Sequence, residues 1–172
     1  MSNISMTTSK RNAIVTVMLI SAFVSMLNQT ILNTALPAII KGLNITETTA
    51  QWLITGFMLV NGIMIPLTAF LMDKYSTRHL YIFSMAIFLI GSIIAAFSPT
   101  FTILMISRII QAIGAGILLP LMQFTVFTLF PAEQRGFAMG LAGVVVQSAP
   151  AIGPTLTGLF VDLFSWRMPF YL

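Results

Sequence analysis

Five long apolar runs constrain this chain more than any other feature. They cover roughly Ala13–Ala35, Ala50–Met72, Leu80–Phe97, Thr102–Phe127 and Phe137–Leu163. About 20 mostly apolar residues span ~30 Å of hydrocarbon as an α-helix. Strands of soluble proteins are much shorter. In lipid a helix satisfies its own backbone donors and acceptors, which an open strand cannot do. The runs predict an all-α membrane protein of about five spanning helices. Trp166–Leu172 reads as the start of a sixth, cut off after a few residues. Residues 1–12 read as a short cytoplasmic tail and residues 13–172 as one partial helical bundle.

Composition closes off the other classes. Of 172 residues, 58% are hydrophobic and 7% charged, against ~25% charged in soluble domains. Mean hydropathy is +0.99. The pI near 10.0 comes from eight Lys and Arg against four Asp and Glu. The basic residues are scattered along the chain, so no stripe exists for nucleic acid. With no cysteine, thiolate metal sites, disulfides and Cys nucleophiles are excluded. His79 is the single histidine, so no His pair is available for a metal. The acids Glu47, Asp73, Glu133 and Asp162 all sit at the edges of the apolar runs. There is no metal cluster, no nucleophile–base spacing and no phosphate-binding glycine loop. The reading is therefore not an enzyme, with no cofactor and no metal.

Lys10 and Arg11 precede the first run, as in a signal peptide. That run is longer than a 7–15-residue signal core and no small-x-small cleavage site follows, so it reads as an uncleaved helix. With the N-terminus inside, the interior segments carry Lys10, Arg11, Lys74, Arg78 and Arg135. The exterior ones carry Lys41 and Arg167. Five against two obeys the positive-inside rule. The expected location is the plasma membrane, multi-pass, with a cytoplasmic N-terminus.

Polar residues inside apolar runs cost free energy unless they are paired or face a cavity. The first run carries Asn28, Gln29, Thr30, Asn33 and Thr34; Gln29 and Asn33 share a helix face, as do Thr30 and Thr34. The second carries Asn61 and the fifth Gln147 and Ser148. The fourth carries Arg108 and Gln111, three apart on one face. Arg108 is the one charge well within a run, a placement that costs ~2.5–3.5 kcal/mol on insertion scales. It either lines a substrate or proton pathway, is held structurally by carbonyls and amides of neighbouring helices, or snorkels to the interface. Helix 5 carries Gly136, Gly140, Gly143, Gly153 and Gly158, which leave room for close backbone approach. Pro150 and Pro154 remove backbone donors there and should bend it.

Four local patterns resemble the major facilitator superfamily, and within it the drug:proton antiporter group with about fourteen spans. Leu27–Pro37 (LNQTILNTALP) resembles that group's helix 1 signature, L-D-x-T-I-V-N-V-A-L-P. Ala69–His79 (AFLMDKYSTRH) is similar to the loop G-x-L-a-D-r-x-G-r-k between helices 2 and 3. Arg108–Gly114 (RIIQAIG) resembles R-x-x-Q-G-x-G of helix 4. Gly140 followed by Gly153–Gly158 (GPTLTG) resembles the helix 5 antiporter motif G-x8-G-x3-G-P-x-x-G-G. Trp166-Arg167 stands where these exporters carry W-R before helix 6. The sequence departs from the patterns in places. Asn28 replaces the helix 1 aspartate. Ala69, Ser76 and Thr77 replace two glycines and a basic residue of the loop. Ala112, Ala149 and Thr157 replace further glycines.

The resemblance implies the N-terminal part of a transporter whose two six-helix halves rock about a midplane site. Arg108 would influence proton coupling electrostatically. Asn28, Gln29, Asn33 and Gln111 would line the cavity, and Asp73 and Arg78 would belong to a cytoplasmic gate. Gly140, Gly153, Pro154 and Gly158 would form the antiporter motif at the interface between halves. Implied partners are the lipid bilayer, a drug-like small molecule, protons and the C-terminal helices of the same transporter. The expected activity is proton-driven export of drugs or other amphipathic molecules. An uptake porter, or a truncated polypeptide that does not transport, are the alternatives.

Overall fold

The computed structural model describes residues 8–163, with side chains described for residues 8–158. Five α-helices follow one another: α1 Thr8–Leu43, α2 Glu47–Lys74, α3 Thr77–Ala96, α4 Phe101–Leu129 and α5 Ala132–Leu163. Each is long and apolar enough to cross a membrane. The helices extend past the hydrophobic runs that predict them. Thr8–Asn12 of the expected tail already belong to α1, and the expected break at Lys41–Asn44 begins only after Leu43. The expectations for Trp166–Leu172, Arg167 among them, lie outside the described residues, as does the side chain of Asp162.

The turns are short because their residues end and restart helices efficiently. Asn44, at φ 51°, takes the left-handed conformation that Asn tolerates and so stops α1. Thr46, Ser76 and Thr100 then cap α2, α3 and α4, each accepting a hydrogen bond from the amide N–H three residues on. The polar stretch Asp73–His79 is mostly helical. Asp73 closes α2, Arg78 and His79 open α3, and only Tyr75 and Ser76 lie between them.

α4 is the central helix. It packs against α3, α2, α1 and α5, and α1 packs along α5. It is also the most buried of the five spans. Small residues make the close approaches possible. A Cβ on Gly114 would lie 2.6 Å from the Ser84 carbonyl oxygen of α3, and one on Gly116 would lie 2.5 Å from the Met64 Cβ of α2. The apolar core divides into a cluster around Val15, Leu80, Leu121 and Val126 at one end, and one around Leu32, Ile39, Leu53 and Leu104 at the other. Large apolar residues such as Leu59, Ile63, Leu89 and Phe137 face outward, as expected where the outer solvent is hydrocarbon.

Candidate functional site: a buried guanidinium among amides

Arg108 lies on the inner face of α4 and is 0% exposed. It therefore does not snorkel to the interface. Its Nη1 donates to Asn28 Oδ1 of α1 at 3.1 Å and to Gln111 Oε1, one turn along α4, at 2.8 Å. Gln111 Nε2 donates in turn to Ser92 Oγ of α3 at 2.8 Å. Ser92 Oγ donates to the Phe88 carbonyl at 3.0 Å. The guanidinium stacks over the ring of Phe57 of α2, 4.3 Å from its centroid. Arg108 thus joins α4 to α1 and α2 directly, and Gln111 extends the network to α3. Gly91 supports the arrangement, because a Cβ there would meet Gln111 Cγ at 2.7 Å and the Gln111 amide nitrogen at 2.9 Å.

The balance of this cluster is incomplete. A desolvated cation–π contact is worth ~2 kcal/mol, and an interhelical hydrogen bond in a membrane protein averages ~0.6 kcal/mol. Together these are of the order of the insertion cost of Arg. Two nitrogens with three N–H donors are left over: Nε and Nη2 of Arg108 are buried with no hydrogen-bond partner among the described residues. Unsatisfied buried donors cost ~1–3 kcal/mol each. No described acid compensates the charge, since Asp73, Glu47 and Glu133 lie at helix ends away from the cluster.

The other sequence-predicted residues lie apart from this cluster. Gln29 is half-buried and Asn33 exposed on α1. Thr30 and Thr34 bond back to the carbonyls of Met26 and Thr30 at 2.9 and 3.1 Å. Asn61 is half-buried and Gln147 exposed. Asp73 and Arg78 are exposed on either side of the α2–α3 turn. On α5, Gly153 packs against Thr30 of α1, where a Cβ would lie 2.7 Å from Thr30 Cγ2. Around Gly136, Gly140, Gly143 and Gly158 a Cβ would meet nothing within 4 Å among the described residues. The reason is that α5 packs mainly on α1, so among the described residues one face of α5 has no helix against it. Pro154 is exposed, and α5 remains helical through both prolines.

Ser92 and Phe57 were not singled out by the sequence. A phenylalanine in an apolar run has no mark of its own, and Ser92, though polar within its run, is set apart from the other serines only by the packing of α3 on α4.

The basic end of the bundle is separate. Arg11 of α1 stacks 4.3 Å from the Phe130 ring, and Arg135 Nε donates to the Phe130 carbonyl at 3.0 Å. The start of α1 and the α4–α5 turn therefore share one end. A groove of about 570 Å³ opens there, lined by Ala13, Val17, Tyr81, Phe124 and Thr125 among others, with Arg78 beside it. It shares no residue with the Arg108 cluster.

The likeness to known proteins is extensive. The chain is 54% identical to the Uncharacterized MFS-type transporter YcnB of Bacillus subtilis (strain 168), over 94% of this chain and 34% of that protein. It is 43% identical to the Lincomycin resistance protein LmrB of the same organism, over 90% of this chain and 32% of that protein. The chain thus spans about a third of the length of these relatives. In fold it matches a bacterial homologue of the human lysosomal transporter Spinster, solved inward-facing and unoccupied, with a TM-score of 0.80 and 18% identity over 92% of this chain and 33% of that one. The family model for the Major Facilitator Superfamily matches residues 18–172, and the chain is a multi-pass membrane protein belonging to that family.

Proposed function

We propose that these residues form the N-terminal part of a proton-driven exporter of drugs or other amphipathic small molecules. The observation that carries this reading is the permanent charge of Arg108 held in the apolar core where α1 and α4 meet. A guanidinium carries its charge throughout the physiological pH range. Buried in low dielectric, such a charge biases the protonation and substrate occupancy of groups near it as the halves rock. The direction of transport rests on the Gly153-Pro154 pattern of α5 and on the resistance function in the name of LmrB. The remaining helices would supply the opposite wall, as the share of each relative matched here implies. Shared placement of Arg11, Phe130 and Arg135 at one end supports a cytoplasmic N-terminus in the plasma membrane. Transport of this kind forms and breaks no covalent bond.

Two experiments test it. An antibody to residues near Lys10 sizes the product in the membrane fraction. A band about three times heavier than 18.8 kDa fits the longer exporter; a band at 18.8 kDa favours a truncated polypeptide that does not transport. Cells expressing the protein are then loaded with lincomycin or a fluorescent cationic dye and treated with a protonophore. Export predicts that cell-associated compound rises. A fall would overturn export in favour of proton-driven uptake.

A further inference from the structure

The two unpartnered nitrogens of Arg108 are not scattered. Nε and Nη2 form one edge of the guanidinium, with their N–H bonds parallel. This is the fork that matches the two oxygens of a carboxylate. The opposite corner, Nη1, is already spent on Asn28 and Gln111. The cluster therefore holds the cation by its back and leaves its bidentate edge free. The position on α1 that touches it is an amide, Asn28, which brings no charge. The described acids lie elsewhere, at helix ends.

From this we infer that the free edge of Arg108 is a seat for a carboxylate-type anion that is not part of the described chain. It is either a small dissolved anion or the carboxylate of an organic molecule. The charge, the parallel donors and the dry surroundings set by Phe57 and the apolar core make an anion the fitting chemistry. A neutral ligand would leave the guanidinium uncompensated, and a cationic one would be repelled. The edge itself is covered in the present arrangement, so occupancy is coupled to a small displacement of the helices around Arg108. The inference rests on the geometry of the cluster and not on the direction or the driving force of transport.

The test is thermal unfolding of the purified protein in detergent, titrated with sodium chloride or with sodium benzoate. Three forms are compared: the native sequence, Asn28→Asp and Arg108→Gln. Asn28→Asp supplies a fixed carboxylate beside Nη1, within about 3 Å, and so compensates the cation without filling the Nε–Nη2 edge. The expected result is a saturable rise of a few degrees in the native protein with at least one probe. Asn28→Asp should start higher and show a weaker saturable rise, because the cation is already partly compensated, while a general salt effect would act on both forms alike. Saturation by benzoate at lower concentration than chloride assigns the seat to organic carboxylates; the reverse assigns it to dissolved inorganic anions. Equal responses of the native and Asn28→Asp proteins to both probes would overturn the inference. Asn28→Asp decides the matter even if Arg108→Gln fails to fold. Because the readout is binding, a failure of the anion seat leaves the export assay untouched, and the reverse also holds.

Discussion

Asn28 and Arg108 are 80 positions apart in sequence, yet the amide oxygen of one accepts from Nη1 of the other at 3.1 Å in the buried centre of the bundle. Among the described residues, this bond joins α1 to α4 through polar chemistry. Replacing Asn28 by Ala removes the acceptor and leaves Nη1 with Gln111 alone. The expected loss is about 1–2 kcal/mol of stability, with insertion retained. Thermal unfolding in detergent, with membrane-fraction yield as control, measures both.

The glycines divide into two classes that alanine substitution should separate. Gly114→Ala drives a Cβ to 2.6 Å from the Ser84 carbonyl oxygen and 3.0 Å from the Phe88 amide nitrogen. Backbone atoms cannot swing aside, so the expected cost is about 1–3 kcal/mol. Gly143→Ala meets nothing within 4 Å and removes a flexible helix position, which should leave stability unchanged or raise it by about 0.5–1 kcal/mol. Parallel unfolding curves of the two variants check the contrast.

Gly153 is the exception on α5, because a Cβ there would meet Thr30 of α1. Gly153→Val should separate α5 from α1 and block or uncouple gradient-driven efflux. Gly158→Ala, which meets no neighbour here, serves as the comparison. Coupling unchanged in Gly153→Val would show that this contact does not matter to the transport cycle.

The chain has no cysteine, so single-cysteine labelling reads topology directly. Ser76→Cys, at the α2–α3 turn, should react with a membrane-impermeant maleimide only after the cytoplasmic face is opened. Thr100→Cys, at the α3–α4 turn, should react in intact cells. The opposite pattern would invert the orientation proposed from the basic residues.

Much of the fold was legible in the sequence because a single physical demand governs a membrane span. Hydrocarbon offers no partner for an open backbone donor or acceptor, so about 20 apolar residues have few options there, and all five runs became helices. Helix ends were less legible, since α1 begins at Thr8 and continues to Leu43 through residues whose hydropathy is mixed. At the site, Arg108 and Gln111 were legible as neighbours because their spacing of three is a property of the helix itself. That Asn28 joins them while Gln29 and Asn33 do not depends on how α1 is rotated against α4. Neither helix encodes that rotation alone. The glycines show the same limit: Gly140 and Gly153 are alike in sequence, and only the packing of α1 distinguishes them.

The most direct test of a transport role for Arg108 is efflux driven by an imposed proton gradient, comparing the native protein with Arg108→Ala at equal membrane abundance. The variant is expected to insert normally but to transport no faster than vesicles without protein. Efflux at the native rate would contradict that role and reduce the buried guanidinium to a packing element.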